Sequence, residues 1–232
     1  MKTYLTVIIA NLLVSFTMAQ RPPSGAWEFK ESGLIHTMIM ADQFFSVAAY
    51  SIEQKKFSET YGGSFEVSDG KIKGTIAFNS SDKGNVGKPY EFTISGIQGN
   101  EMLLTRNGKK ELWKRIDEGK GGLSGNWRIT SRDQNGQMVA MNPGARKTIK
   151  LLSDTRFQWA AINTETGEFF GTGGGKYSFK DGKYTEMIEF FSRDSSRVGV
   201  SLTFDATLNG NEWLHSGKSS KGDPVKEIWT RK

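Results

Sequence analysis

The chain has 232 residues, a formal net charge of +6 and no cysteine. The missing thiols exclude disulfides, thiolate metal sites and a cysteine-borne lipid anchor. Lysines and acids are interspersed without a block of five like charges, which reads as a solvated mixed surface and not as a nucleic-acid face.

The chain opens on MKTYLTVIIANLLVSFTMAQ: Lys2, an apolar run from Tyr4 to Phe16, and a small-residue ending at Thr17 and Ala19. This is the pattern of a secretory signal cut after Ala19. Asn11 and Ser15 interrupt the run, which falls short of the roughly 20 apolar residues of a membrane span. Residues 1–19 are therefore expected to leave an exported chain, secreted or periplasmic, with its charge reduced by one. Nothing later is apolar for long enough to cross a membrane.

After the signal, the first domain (20–117) starts on Gly25-Ala26-Trp27 and continues through DQFFSVAAY from Asp42. GGSFEVSDGKIKGTIAF follows from Gly62 to Phe78, then Tyr90, Phe92 and Ile94 at alternate positions, and ELWKR from Glu111. Apolar residues recur every second position, the period of strands with one face inward and the other wet. Asp69-Gly70 between two such runs is a hairpin signal, as is Gln98-Gly99-Asn100. A glycine-rich segment at 118–124 reads as a flexible linker. The second domain (125–232) repeats the order: Gly125-Asn126-Trp127, DTRFQWAAI from Asp154, GGKYSFKDGKYTEMIEF from Gly174 to Phe190, and EIWTR from Glu227. Gly62 and Gly174, Asp69 and Asp181, Phe78 and Phe190, and Phe92 and Phe204 share one offset, 112. A repeat this consistent means two copies of one unit. Helical periodicity is nearly absent, so at most one short helix per copy is expected.

Seven or eight short strands in about 100 residues must hide their edges. Closing into an antiparallel up-and-down barrel does so, and a two-sheet sandwich is the competing arrangement. The doubled G-x-W opening, with Arg115 or Arg231 closing each copy, resembles the first-strand signature of lipocalins. Both copies look like the lipocalin-like domains of secreted bacterial proteins of unknown function. The resemblance implies two consecutive lipocalin-like barrels, all-β, in which the tryptophan plugs one end under the arginine. Each copy carries its own plug, so each is expected to fold alone.

Face-counting along Tyr184, Glu186, Ile188 and Phe190 places them inward and leaves Glu189 as a solvated surface charge. An inward Glu186 requires a partner or a shifted pKa. Trp159, Tyr177, Tyr184, Glu186 and His215 form the candidate ligand-binding group. Gly171-Thr172-Gly173-Gly174-Gly175-Lys176 lacks the ending of a phosphate loop and precedes a strand, so its glycines are expected to bend a barrel corner. His36 and His215 fall in different copies, and no metal-ligand spacing, cofactor motif or nucleophile motif is present. The reading that follows is an exported, non-enzymatic protein holding a small hydrophobic or amphipathic ligand in the second barrel. Two alternatives stay open: filled barrels that bind a protein or glycan through their surfaces, and acid–base chemistry by Glu186 with His215.

Overall fold

The computed structural model describes residues 23–232, so the expected signal lies outside the described residues. The first repeat forms β1 (Gly25–Glu31), β2 (Leu34–Ala41), β3 (Phe44–Ser51), β4 (Lys56–Ser64), β5 (Glu66–Ser68), β6 (Lys71–Asn79), β7 (Pro89–Gln98), β8 (Glu101–Arg106) and β9 (Lys109–Asp117). Each strand pairs antiparallel with its neighbours, and β4 pairs back onto β6 to close a ring of eight. The three-residue β5 continues the bent β4 along the same edge of β6.

The second repeat forms β10 (Gly125–Gln134), β11 (Gln137–Ala140), β12 (Arg146–Leu152), β13 (Arg156–Asn163), β14 (Phe169–Lys180), β15 (Lys183–Phe191), β16 (Ser201–Asn209), β17 (Glu212–Lys218) and β18 (Pro224–Arg231). Pairing of β10 with β18 closes this ring of eight, and β11 stays outside it as a hairpin arm on the outer half of β10. Trp27 and Trp127 are 100 positions apart, whereas their register partners Met38 and Lys150 are 112 apart. The arm is therefore a 12-residue insertion into the second copy. The chain is thus two consecutive closed antiparallel barrels, and a sandwich is ruled out. One short 3-10 turn per copy, Lys83–Asn85 and Ser195–Arg197, is the helical content among the described residues.

Local chemistry explains the turns and the plugs. Asp69 and Gly70, and Asp181 and Gly182, all have positive φ (50°, 69°, 52° and 70°), as a two-residue type I′ hairpin requires. At one end of each barrel a guanidinium lies over an indole, Arg115 at 4.0 Å from the Trp27 ring and Arg231 at 4.7 Å from Trp127. The indole N–H groups donate to the carbonyls of Pro23 and Leu123, and the same arginines donate to Ser24 and Gly122. Such a stack, with the guanidinium half-buried, contributes about 0.5–1 kcal/mol.

Two expectations need correction. Strands β2, β3, β12 and β13 are not wet on their outer faces, because the barrels pack against each other there. In addition, a β-bulge interrupts β15: Gly174 pairs with Phe190 and Gly175 with Ile188, leaving Glu189 as the extra residue. An extra residue reverses the in–out phase beyond it. Phe190 consequently leaves the barrel and packs on Tyr50 and Phe57 of the first barrel, while Phe191 turns inward. The first copy has the same bulge between Gly62 and Gly63, which sends Phe78 out against Ile149, Ala160 and Ile162. Gly174 permits this crowding: a Cβ there would lie 2.5 Å from the Phe190 ring and 2.6 Å from the Phe157 carbonyl.

The interface has approximate two-fold character. Ile39 and Leu151, which are repeat equivalents, share one cluster, and the Tyr50–Phe190 contact is mirrored by the equivalent Ile162 and Phe78. Glu189, expected on the surface, is only 5% exposed. Its Oε2 accepts from the Tyr50 hydroxyl at 2.9 Å, and Lys176 Nζ lies 3.3 Å from Oε1. Gln158 Nε2 donates to Thr60 Oγ1 at 2.7 Å and to Thr172 Oγ1 at 3.1 Å. The backbone N–H of Asn126 donates to Asp42, and Asp117 accepts from Ser153 and Thr155. The glycine-rich segment joining the barrels is itself pinned by the buried Leu123 and by Ser124 donating to Asp154.

Replacing Tyr50 by Phe leaves a buried carboxylate oxygen of Glu189 without its donor and should destabilise the chain by about 1–3 kcal/mol in urea unfolding. Removing the exposed Lys183 of the Lys183–Asp205 pair should change stability by no more than about 0.5 kcal/mol. Fragments 20–119 and 120–232 are each expected to unfold cooperatively, at lower urea midpoints than the whole chain, because each exposes one half of the interface. If neither fragment shows a transition, the barrels depend on each other to fold.

Candidate functional site

The interiors of the two barrels differ because a few repeat positions were exchanged in concert. In the first barrel Tyr61 on β4 pairs with Val47 on β3; in the second, Gly173 pairs with Trp159. A Cβ on Gly173 would come within 2.8 Å of Trp159 Nε1, so the large side chain has moved from one strand to the next. Arg106 reaches into the first barrel, donating to the Tyr61 hydroxyl and to Glu111, each at 3.1 Å. With Phe45, Tyr90 and Phe92 in contact around it, that interior keeps a void of about 10 Å³, no more than one water requires. Above that layer the first barrel opens into a polar pocket of about 530 Å³, lined by Tyr61, Ile76, Tyr90, Phe92 and Arg106 together with Glu59, Asp82 and Asn107.

The second barrel holds a cavity of about 300 Å³, the small end of the range for ligand sites. Its floor carries ionic groups where the first barrel has apolar ones. Lys150 stands at the position of Met38, Glu186 at that of Gly74, and His215 at that of Leu104. Lys150 Nζ donates to Glu186 Oε1 at 2.8 Å, and the Tyr184 hydroxyl donates to the same oxygen at 2.9 Å. The ammonium is 5.0 Å from the Trp229 ring centroid and 5.2 Å from those of Tyr184 and Trp213. This is a buried ion pair, with Lys150 4% and Glu186 5% exposed, and the surrounding rings compensate part of the lost hydration of the cation.

Beside it stands a second pair. Glu227 Oε1 accepts from Arg132 at 2.8 Å, and its Oε2 accepts from the Trp229 indole at 3.1 Å. The first barrel repeats the glutamate-to-indole bond two residues apart, Glu111 with Trp113. His215 Nδ1 lies 3.7 Å from Glu227 Oε2, too far for a hydrogen bond, and neither ring nitrogen has a partner although the residue is only 3% exposed. The ring stacks on Phe204 at 4.0 Å. Burial holds the imidazole below its ordinary pKa despite the nearby carboxylate. For Glu227 burial acts upward, but His215, Lys150 and Arg132 outweigh it and keep the carboxyl below the usual range.

Of the residues singled out from sequence, Trp159, Glu186 and His215 line the cavity. Tyr184 is fully buried beneath it and orients Glu186. Tyr177 is not on the wall: its hydroxyl donates to the Ser153 carbonyl at 2.5 Å, and it reaches the group only through a ring contact with Tyr184. Lys150, Arg132, Phe191 and Glu227 also line the cavity and were not anticipated. Lys150 was detectable as a lysine replacing Met38 in the repeat, and Glu227 as the inward glutamate two residues before a tryptophan in both copies. Phe191 was hidden by the bulge.

Residues 122–232 match a family model described as Domain of unknown function (DUF4488). The match covers the second barrel. No curated protein matches the chain. Among solved structures, a tryptophan-to-alanine mutant of the vaccine antigen Transferrin Binding Protein B from Haemophilus parasuis Hp5 aligns with 86% of this chain and 61% of its own, at 11% identity and a TM-score of 0.25. This chain thus spans about three fifths of that protein, and a superposition this loose says nothing about function.

The unpaired, depressed imidazole makes a pH prediction. Unfolded His215 titrates near 6.5, folded His215 lower, so the unfolded state binds more protons below about 6.5. The stability is complete above that value and falls as pH drops toward the folded pKa. Urea unfolding between pH 7.5 and 5.5 should therefore show a smaller loss for His215→Phe than for the parent chain. His36, whose pKa burial also lowers, titrates in both and supplies the remaining slope. Equal losses would show that the His215 imidazole is not held neutral.

Proposed function

We propose that the protein is an exported, non-enzymatic binding protein that holds a small, partly apolar molecule in the cavity of the second barrel. The observation that carries this reading is His215, a buried imidazole with both nitrogens unpaired, facing a cavity walled by Trp159, Phe191 and Leu202. An unpaired buried polar group costs about 1–3 kcal/mol, and a bound molecule that pairs with it recovers that cost. Glu186 fits a binding role better than acid–base chemistry, because Lys150 and Tyr184 both fix one of its oxygens. The signal-like residues 1–19 support export.

A second reading rests on the β10–β11 arm, where Met138, Val139 and the following Met141 are exposed. Apolar residues on a hairpin that the first copy lacks favour a surface contact with a macromolecular partner.

Native mass spectrometry of protein from its own host, with displacement of an environment-sensitive dye, tests the cavity reading. Filling the cavity by Ala161→Leu should weaken dye binding at least tenfold while leaving a cooperative unfolding transition. Retained binding in that variant would place the ligand elsewhere, and a stable co-purifying complex with no cavity occupant would favour the arm.

A further inference from the structure

The cavity floor has a charge pattern that restricts what it can accept. Two carboxylates, Glu186 and Glu227, stand against two cations, Lys150 and Arg132, and each is already paired. Among the described residues no other acid, lysine or arginine lines the cavity. An added carboxylate, phosphate or ammonium would therefore enter a region of low dielectric without a counter-charge of its own, which is the costly case. The unmet demand is for hydrogen bonds instead. One nitrogen of a neutral imidazole donates and the other accepts, whichever tautomer is present. Among the described residues no donor reaches Glu186 Oε2, and Lys150 retains two N–H groups beyond the one given to Glu186. The remaining lining includes the apolar Trp159, Phe191, Ile188 and Leu202, with the hydroxyls of Thr148, Ser219 and Ser220.

From these features we infer that the ligand of the second barrel is a neutral amphipathic compound, with a hydroxyl or carboxamide head on the ionic floor and an apolar body against Trp159 and Phe191, and not an organic acid or amine. A hydroxyl or carboxamide both donates and accepts, so it can satisfy His215 and Glu186 Oε2 without disturbing the balance of charge. This inference rests on the cavity reading of the preceding subsection.

The test uses the whole chain and two series in which the body is constant and the head varies: phenethyl alcohol, phenylacetamide, phenylacetate and phenethylamine, and hexanol, hexanamide, hexanoate and hexylamine. Isothermal titration at pH 7.5 should give neutral members at least tenfold tighter binding than the charged members of the same series. Glu186→Gln makes the floor net positive and should move the preference toward the carboxylates. His215→Phe should reduce the advantage of the neutral heads to less than threefold. Preference of the parent chain for the acid or the amine, or equal affinity for all heads, overturns the inference while leaving the cavity reading intact. A neutral preference that His215→Phe leaves unchanged overturns the placement of the head. Absence of binding by every compound in both series overturns the inference and counts against the cavity reading together.

Discussion

The extra residue in β15, and its counterpart in β6, governs both surfaces of each barrel at once. Before the bulge the strand presents Ile188 to the interior; beyond it, Phe191 lines the cavity and Phe190 crosses to the other barrel. The bulge requires close backbone approach at Gly174 and Gly62, where any side chain would strike a phenylalanine ring and a carbonyl. The same short segment therefore builds the inter-barrel contact and shapes the pocket wall. Its bulged residue, Glu189, is carried into the interface, where Tyr50 supplies the hydrogen bond that a buried carboxylate needs.

From one repeated plan the two copies reach different interiors. Tyr61 and Arg106 enter the first, joined to each other and to Glu111. Gly173 opens the second, and Lys150, Glu186 and His215 replace three apolar or absent side chains. Stability alone does not account for that exchange, because replacing a buried ion pair with well-packed apolar groups is commonly neutral or stabilising. The first barrel supplies that comparison within the same chain: Met38 and Leu104 occupy the equivalent places, and the space beside them is about 10 Å³. A repeat that departs from its sibling toward buried charge and an unpaired imidazole breaks local rules of packing together, and such departures concentrate where a protein binds something.

Much of the architecture was legible because it depends on local, periodic signals. Alternating apolar residues gave the strands, Asp-Gly pairs gave the hairpins, and the doubled Gly-x-Trp opening with a terminal arginine gave the plugged barrels. Glu186 was placed inside because its neighbours upstream of the bulge keep strict alternation. The reading failed at Glu189, Phe190 and Phe191, where one extra residue reversed the phase and nothing in the residue types announced it. Burial of both faces of β3 and β13 was partly visible in the nearly continuous apolar composition of FFSVAAY and FQWAAI, which a one-face-wet strand would not carry. Tyr177 was misassigned for a different reason: it is inward, but at the plugged end, and sequence alternation fixes the face of a residue without fixing its depth.

The contact between the barrels also bears on how a hollow barrel keeps its shape. Thr60 and Thr172 are repeat equivalents, and each donates its hydroxyl to the carbonyl of the residue carrying the exchanged side chain, Val47 in one barrel and Trp159 in the other. Gln158 donates to both hydroxyls, tying the two barrels together one residue away from Trp159. The cavity wall that lacks packed neighbours on its inner side thus has an ordered hydrogen-bond chain and the apolar cluster of Phe78, Ala160 and Ile162 on its outer side. A void within a small barrel costs contacts that its lining residues cannot recover by themselves. Burial of the outer faces of β12 and β13 against the first barrel offsets that loss.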